Sequence, residues 1–202
     1  MLPLHDWVDE KFAQPKDRDA RAALFADPNL IARVTYLLEH GELSRGDLCA
    51  IAARMWGLCG PAPQLEAPAA FWRRLFRLAG YGVDGRPRPL PEAPVVLYRG
   101  AVEQYARGFP WTPNRVVAEA AASMRGVGKL WRTEAPPAAM LAGLTFGAHM
   151  RELVCDPDVL GEIRCVAELE AAEVTTYHPL LTAGMGVYGT KRPHAGRRII
   201  GI

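Results

Sequence analysis

The sequence predicts an α+β fold in which helices come first and a mostly β unit with one central helix follows. Residues 17–80 show helical periodicity with capping signals. Residues 81–94 hold four prolines and two glycines, which is typical of a linker or an extended lead-in. Short apolar runs bounded by turn residues come after it. We therefore expect a helical region with its linker over 1–92 and an α+β core over 93–202.

Three helices are predicted in the first part, at about residues 17–39, 44–57 and 68–78. Asp27-Pro28 offers a cap followed by a first-turn proline for the first helix. The segment Ser44–Asp47 has the form of a capping box for the second. The third helix ends at Gly80. It carries the arginine cluster Arg73, Arg74 and Arg77, which we interpret as a solvated face or as an anion or partner surface.

The second part is predicted to be mostly strands. The expected strands are Val95–Tyr98, Trp111–Thr112, Lys129–Glu134, Met150–Cys155, Ile163–Leu169 and Val174–Tyr177. A helix is expected to follow Thr112 as N-cap, with Pro113 in its first turn, and to end near Met124. A short helical turn is expected at 136–141. The glycine-rich basic end, from Gly184, offers one further edge strand.

Composition limits the classes of function. The chain has 202 residues, 50% hydrophobic and 23% charged, with a formal net charge of +2. This is not the strong basic excess of a nucleic-acid coat protein. No apolar run approaches the roughly 18 residues of a membrane span. The four cysteines follow no secretory pattern, so we expect reduced thiols in a cytoplasmic protein without a membrane partner.

Several common sites are missing from the sequence. The five histidines lack metal-ligand spacing, and no metal site is expected. The chain has no GxSxG nucleophile motif. It also has no phosphate loop and no glycine signature of the dinucleotide-binding fold, so an NAD site of that type is not expected.

Three short motifs occur in order: LYRG at Leu97–Gly100, GFPWT with an alanine-rich helix over Gly108–Ala122, and MRELVCDP at Met150–Pro157. With these motifs, residues 93–170 resemble the arginine–serine–glutamate branch of the ADP-ribosyltransferase superfamily, in its bacterial and phage-like members. The resemblance implies a split β-sheet core that holds NAD in a cleft. It also implies a mono-ADP-ribosyltransferase, toxin-like or otherwise, that modifies a macromolecular acceptor, protein or nucleic acid.

The resemblance gives each motif residue a role. Glu152 would stabilise the oxocarbenium character that the ribose acquires when nicotinamide leaves. Arg99 would grip the phosphates of NAD, because a guanidinium binds phosphate oxygens bidentately. The backbone of Gly100 would meet the carboxamide of nicotinamide. Thr112 would support Glu152 by a hydrogen bond, and Trp111 would pack at the floor of the cleft.

Each of these residues also has a plain structural alternative. Arg99 is then an ion-pair partner, Thr112 a helix cap and Trp111 a core residue. Because strand side chains alternate, only one of Arg151 and Glu152 faces inward. Glu152 is a surface residue if that one is Arg151.

Two departures from the family pattern keep other functions open. Pro110 stands where the family has a serine, and Met150 stands where arginine-modifying members have a first carboxylate. The missing carboxylate disfavours arginine as acceptor and leaves another acceptor, NAD hydrolysis or loss of activity. The rival functions are a catalytically inactive interaction protein with this fold and a nucleic-acid-binding module that uses the basic third helix and tail.

Overall fold

The structure is a computed structural model that describes residues 29–59, 67–124, 128–146 and 150–169. The described helices are α1 (Leu30–Glu39), α2 (Arg45–Leu58), α3 (Ala69–Ala79) and α4 (Arg115–Met124). The described strands are β1 (Gly82–Val83), β2 (Arg86–Pro87), β3 (Val95–Ala101), β4 (Pro110–Trp111), β5 (Gly128–Ala135), β6 (Met140–Phe146), β7 (Met150–Cys155) and β8 (Ile163–Leu169). The α+β class is confirmed.

The strands form two sheets. Five of them lie in the order β2-β1-β6-β7-β4, and three in the order β3-β5-β8. The sheets meet at one bridge, between Tyr98 at the middle of β3 and Thr112 just after β4. Beyond this bridge β3 continues to Ala101, whereas the chain that follows β4 leads into α4. The junction of the two sheets therefore lies beside the end of β3.

Helices α1–α3 cover one face of the five-stranded sheet. Their apolar side chains share one core cluster with residues of β6 and β7 and with Phe109, so the helical region and the sheet are not separate cores. A second cluster fills the space between the two sheets and includes Leu97, Trp111 and Leu153. Helix α4 packs on the far side of β3, where a Cβ at Gly100 would lie 2.1 Å from the carbonyl oxygen of Ala118.

Several local predictions are confirmed. Strands β7 and β8 have the predicted bounds. The capping box is present, since Ser44 Oγ accepts the N–H of Asp47 at 3.1 Å and the Asp47 carboxylate accepts the N–H of Ser44 at 3.2 Å. Helix α3 ends immediately before Gly80, whose φ is +77°.

Other predictions differ from the structure. The expected linker contributes β1 and β2, and β1 pairs in parallel with β6. Strand β6 was not predicted: its first two residues, Met140 and Leu141, were expected in a helical turn, and MLAGLTF contains small residues that strands disfavour. Helix α4 is capped by Asn114, whose Oδ1 accepts the N–H of Val116 at 3.0 Å, and not by Thr112.

Some predictions lie outside the described residues: Asp27-Pro28 as a cap, the strand 174–177 and the basic tail. Within the described ranges, no helix is long and apolar enough to cross a membrane.

Candidate active site

The three sequence motifs converge where the two sheets meet. Strands β4 and β7 are antiparallel, with Pro110 opposite Val154 and Trp111 opposite Leu153. One further step of this register sets Thr112 opposite Glu152. The bridge between Thr112 and Tyr98 then brings Thr112 beside β3. Tyr98 is the residue immediately before Arg99. Residues far apart in the chain are thereby neighbours at one junction.

Glu152 is the inward-facing member of its pair. Arg151 is exposed, whereas Glu152 is partly buried on the face of β7 that α2 covers. Its Oε1 accepts a hydrogen bond from Nε1 of Trp56 at 2.7 Å. The alternative in which Glu152 is a surface residue is therefore wrong.

The electrostatic setting of Glu152 combines opposing effects. Burial raises the pKa of the Glu152 carboxyl group, because removal from water disfavours the charged form. The hydrogen bond from Trp56 and the positive charge of Arg99 act in the opposite direction. The net result is a raised pKa, as is common for carboxyl groups in catalytic sites and also for buried structural ones.

Arg99 lies almost fully buried at the junction, with 6% of its surface exposed. Its Nε donates to the carbonyl oxygen of Tyr105 at 3.0 Å, and its Nη1 donates to that of Pro110 at 2.6 Å. The loop makes room for the guanidinium at Gly108, where a Cβ would lie 2.7 Å from Nη2. These two contacts fix the position of the guanidinium, and its positive charge acts on the Glu152 carboxyl group.

Gly100 presents its backbone at the same junction. Both backbone groups of Tyr98 bond to Thr112, at 2.8 and 2.9 Å. Because backbone groups of alternate strand residues point to the same edge, the N–H and C=O of Gly100 point to that edge, away from β5. A glycine is needed at this position because α4 approaches β3 too closely for a Cβ atom.

Thr112 and Trp111 both have structural partners. The Thr112 hydroxyl accepts the N–H of Asn114 at 3.1 Å and so helps to start α4. Trp111 is 1% exposed, lies in the core between the sheets and donates its indole N–H to the carbonyl oxygen of Gly108 at 2.7 Å. The indole thus fixes the loop that surrounds Arg99.

Three aromatic side chains that could contact a nicotinamide ring, Tyr105, Phe109 and Phe146, lie in different environments. Phe109 is 2% exposed in the helical core, 5.9 Å from Trp56 between ring centroids. Phe146 packs against the same core. Tyr105 is 52% exposed, and its backbone oxygen binds Arg99. Of the three, Tyr105 is the ring near the junction that solvent reaches.

Two of the three arginines in the α3 cluster form ion pairs with the buried Asp156. Arg73 Nε lies 2.9 Å from Oδ1 of Asp156 and Arg77 Nη2 lies 2.6 Å from Oδ2, and the Asp156 side chain is fully buried. Arg73 also pairs with Asp158 at 2.6 Å. Arg77 is 56% exposed and so lies on a solvated face as predicted, whereas Arg73 is only 25% exposed. Their ion pairs offset part of the charge that a nucleic-acid surface built on them would need. Arg74 is exposed.

Sequence reasoning missed three residues that organise this region. Trp56 gave no signal beyond a core position on a helix. Asp156 was interpreted only as the end of a strand. Arg107 holds the turn after β7 through the carbonyl oxygens of Pro157, Leu160 and Gly161, at 2.6, 3.0 and 3.0 Å. Such contacts join residues about 50 or more positions apart, which no local pattern reveals.

Comparisons with protein-family profiles, with curated proteins and with solved structures found no match. Within the described residues, no group of three or more histidine, cysteine, aspartate or glutamate side chains is arranged to hold a metal ion.

Proposed function

We propose that this protein is an NAD-dependent mono-ADP-ribosyltransferase-like enzyme with Glu152 as its catalytic carboxylate. The observation that carries the proposal is the junction itself. The bridge between Tyr98 and Thr112, together with the register of β4 and β7, gathers Arg99, Gly100 and Glu152 from two sheets. A core that only needed to fold would not require these polar groups at its centre, where each must find a partner.

The backbone of Gly100 supports the proposal. An N–H and a C=O on one strand edge form a donor–acceptor pair that matches a primary carboxamide. Nicotinamide carries such a group. In this arrangement the carboxamide would bind beside the end of β3, with its glycosidic bond directed toward the junction.

The charges at the junction suit the rest of NAD. The carbonyl oxygens of Tyr105 and Pro110 hold the Arg99 guanidinium at the junction, and a guanidinium is the cationic group that suits a diphosphate. Glu152 provides a carboxylate near the ribose. In this arrangement the cationic Arg99 binds the anionic diphosphate of NAD. The anionic Glu152 lies near ribose C1′, the carbon that becomes positive.

The reaction follows from the placement of these two charges along NAD. The bond between ribose C1′ and the nicotinamide nitrogen breaks, and nicotinamide leaves with the bonding electron pair. The ionised Glu152 stabilises the oxocarbenium character of the ribose. A nucleophilic oxygen or nitrogen of a macromolecular acceptor then bonds to C1′ and loses its proton, or water does so in hydrolysis. Positioning and electrostatics supply the rate enhancement, without a covalent intermediate.

Nicotinamide release from NAD by the purified protein tests this function. Glu152→Gln keeps the shape of the side chain and removes the charge, and we expect it to abolish release while NAD still raises the melting temperature. Arg151→Gln is the matched control, because it changes the neighbouring, exposed charge on the same strand. We expect it to retain most of the activity. Release that persists in Glu152→Gln would refute the role of Glu152.

Absence of release from the wild type, with and without an extract that supplies acceptors, would refute the enzyme. If NAD then also failed to change the melting temperature, the interaction-protein function would replace it.

A further inference from the structure

The helical region reaches the proposed catalytic carboxylate through one side chain. Trp56 lies near the C-terminal end of α2, outside all three motifs, and donates its indole N–H to Oε1 of Glu152 at 2.7 Å. The indole is 2% exposed. A residue 96 positions away in the sequence is thus a direct partner of Glu152.

The indole cannot easily move away from the carboxylate. Its ring packs edge-on against Trp72 and Phe76, with centroids 5.0 and 5.6 Å away, and lies 5.9 Å from Phe109. These contacts come from α3 and from the loop before β4, so they fix the ring from two sides. A rigid donor defines where the acceptor oxygen sits.

The chemistry of the donor also matters. An indole N–H only donates, so it binds a carboxylate oxygen in its acceptor role and favours the ionised carboxylate over the neutral acid. With Oε1 fixed, the plane of the carboxylate is fixed, and so is the direction of Oε2. A carboxylate that must meet a ribose needs this orientation before the substrate arrives.

We propose that Trp56 is the positioning residue of the site: it orients Glu152 and favours its charged form, so that the helical region is part of the catalytic centre. This inference rests on the function proposed above for Glu152. It also assigns to Trp56 the supporting hydrogen bond that the resemblance gave to Thr112, whose hydroxyl accepts the N–H of Asn114 in this structure.

The test needs a change that removes the N–H and leaves the shape. A benzothienyl side chain at position 56 replaces the N–H by sulfur and keeps both rings, and Trp56→Phe is the natural-residue counterpart. Trp72→Phe is the control for lost packing, because Trp72 is fully buried in the same aromatic cluster.

The first readout is the titration of the Glu152 carboxyl carbon by NMR, assigned with Glu152→Gln. We expect a higher pKa for Glu152 in both position-56 variants, because the donor no longer favours the charged form. Arg99 on β3 and Cys155 on β7 are the ionisable groups that interact with Glu152, and both remain in every variant. Trp72→Phe should leave the titration in place. An unchanged titration in the position-56 variants would overturn the inference whatever the activity.

The second readout is nicotinamide release. We expect kcat to fall about 10- to 100-fold, the range of one hydrogen bond to a charged group, with KM little changed. The acid limb of the pH profile should move to higher pH. A shifted titration with unchanged kcat would overturn the positioning role. If the wild type releases no nicotinamide at all, the enzymatic function fails, and the titration still shows separately whether Trp56 binds Glu152.

Discussion

The contact that fastens α3 to the sheet gives a sharp prediction about stability. Asp156, at the end of β7, is fully buried, whereas Arg73 and Arg77 are 25% and 56% exposed. The substitution Asp156→Asn keeps the volume and the Oδ1 acceptor, which binds Arg73 and the N–H of Asp158. It replaces the oxygen that Arg77 binds by an amide donor, so two donors then face each other.

The expected cost follows from these contacts. Removing one partner of a buried ion pair costs about 3–5 kcal/mol. Here one acceptor survives and Arg77 can turn to water, so we expect the free energy of unfolding to fall by about 2–4 kcal/mol. Asp158→Asn is the matched control, because Asp158 pairs with the same Arg73 but is 71% exposed. It should cost less than about 1 kcal/mol.

Urea denaturation at pH 7 measures both values. The midpoint for Asp156→Asn should fall while the slope stays that of the wild type, because the surface exposed on unfolding is unchanged. A loss below about 0.5 kcal/mol, or equal losses for the two variants, would refute the view that the buried carboxylate fastens the helices to β7.

Three further predictions concern the junction and its surroundings. The pKa of Glu152 is raised in the folded protein, so its contribution to the free energy of unfolding is present below about pH 4, the unfolded value, and is lost as pH rises through the folded value. Glu152→Gln should therefore gain stability relative to the wild type between pH 4 and pH 7 in paired urea titrations, and a constant difference would contradict this. Gly100→Ala should cost about 3 kcal/mol or more, because its Cβ would lie 2.1 Å from the carbonyl oxygen of Ala118, whereas Gly161→Ala, with nothing within 4 Å, should be neutral in the same melts. Of the four thiols only Cys165 is exposed, so a thiol reagent should label one cysteine of the native protein rapidly, and mass spectrometry showing two or more labels would contradict the described burial.

The sequence predicted the order of elements well where local chemistry decides it. The capping box at Ser44 and the stop at Gly80 depend on neighbouring residues, and both are present. Strand β6 was not predicted, and its first two residues were expected in a helical turn. Its Ala142 and Gly143 have low strand propensity and are held by pairing with β1 and β7, which the local pattern does not contain.

The candidate site was predictable only in part. The motifs indicated Arg99, Gly100 and Glu152, and the alternation of strand side chains limited Glu152 to two orientations. The partners that fix these residues come from elsewhere in the fold. Trp56 lies 96 positions from Glu152, and Arg73 lies 83 positions from Asp156. Their positions in the helices match ordinary core and surface spacing, so nothing in the local sequence marks them.

The most direct test of the account is the location of NAD on the protein. Backbone NMR spectra of the Glu152→Gln protein, which should leave NAD intact, would be recorded during titration with NAD. We predict saturable shift changes that are largest at the amides of Gly100, Thr112 and position 152. An absence of saturable changes, or changes confined to α3, would contradict a nucleotide site at the junction of the two sheets.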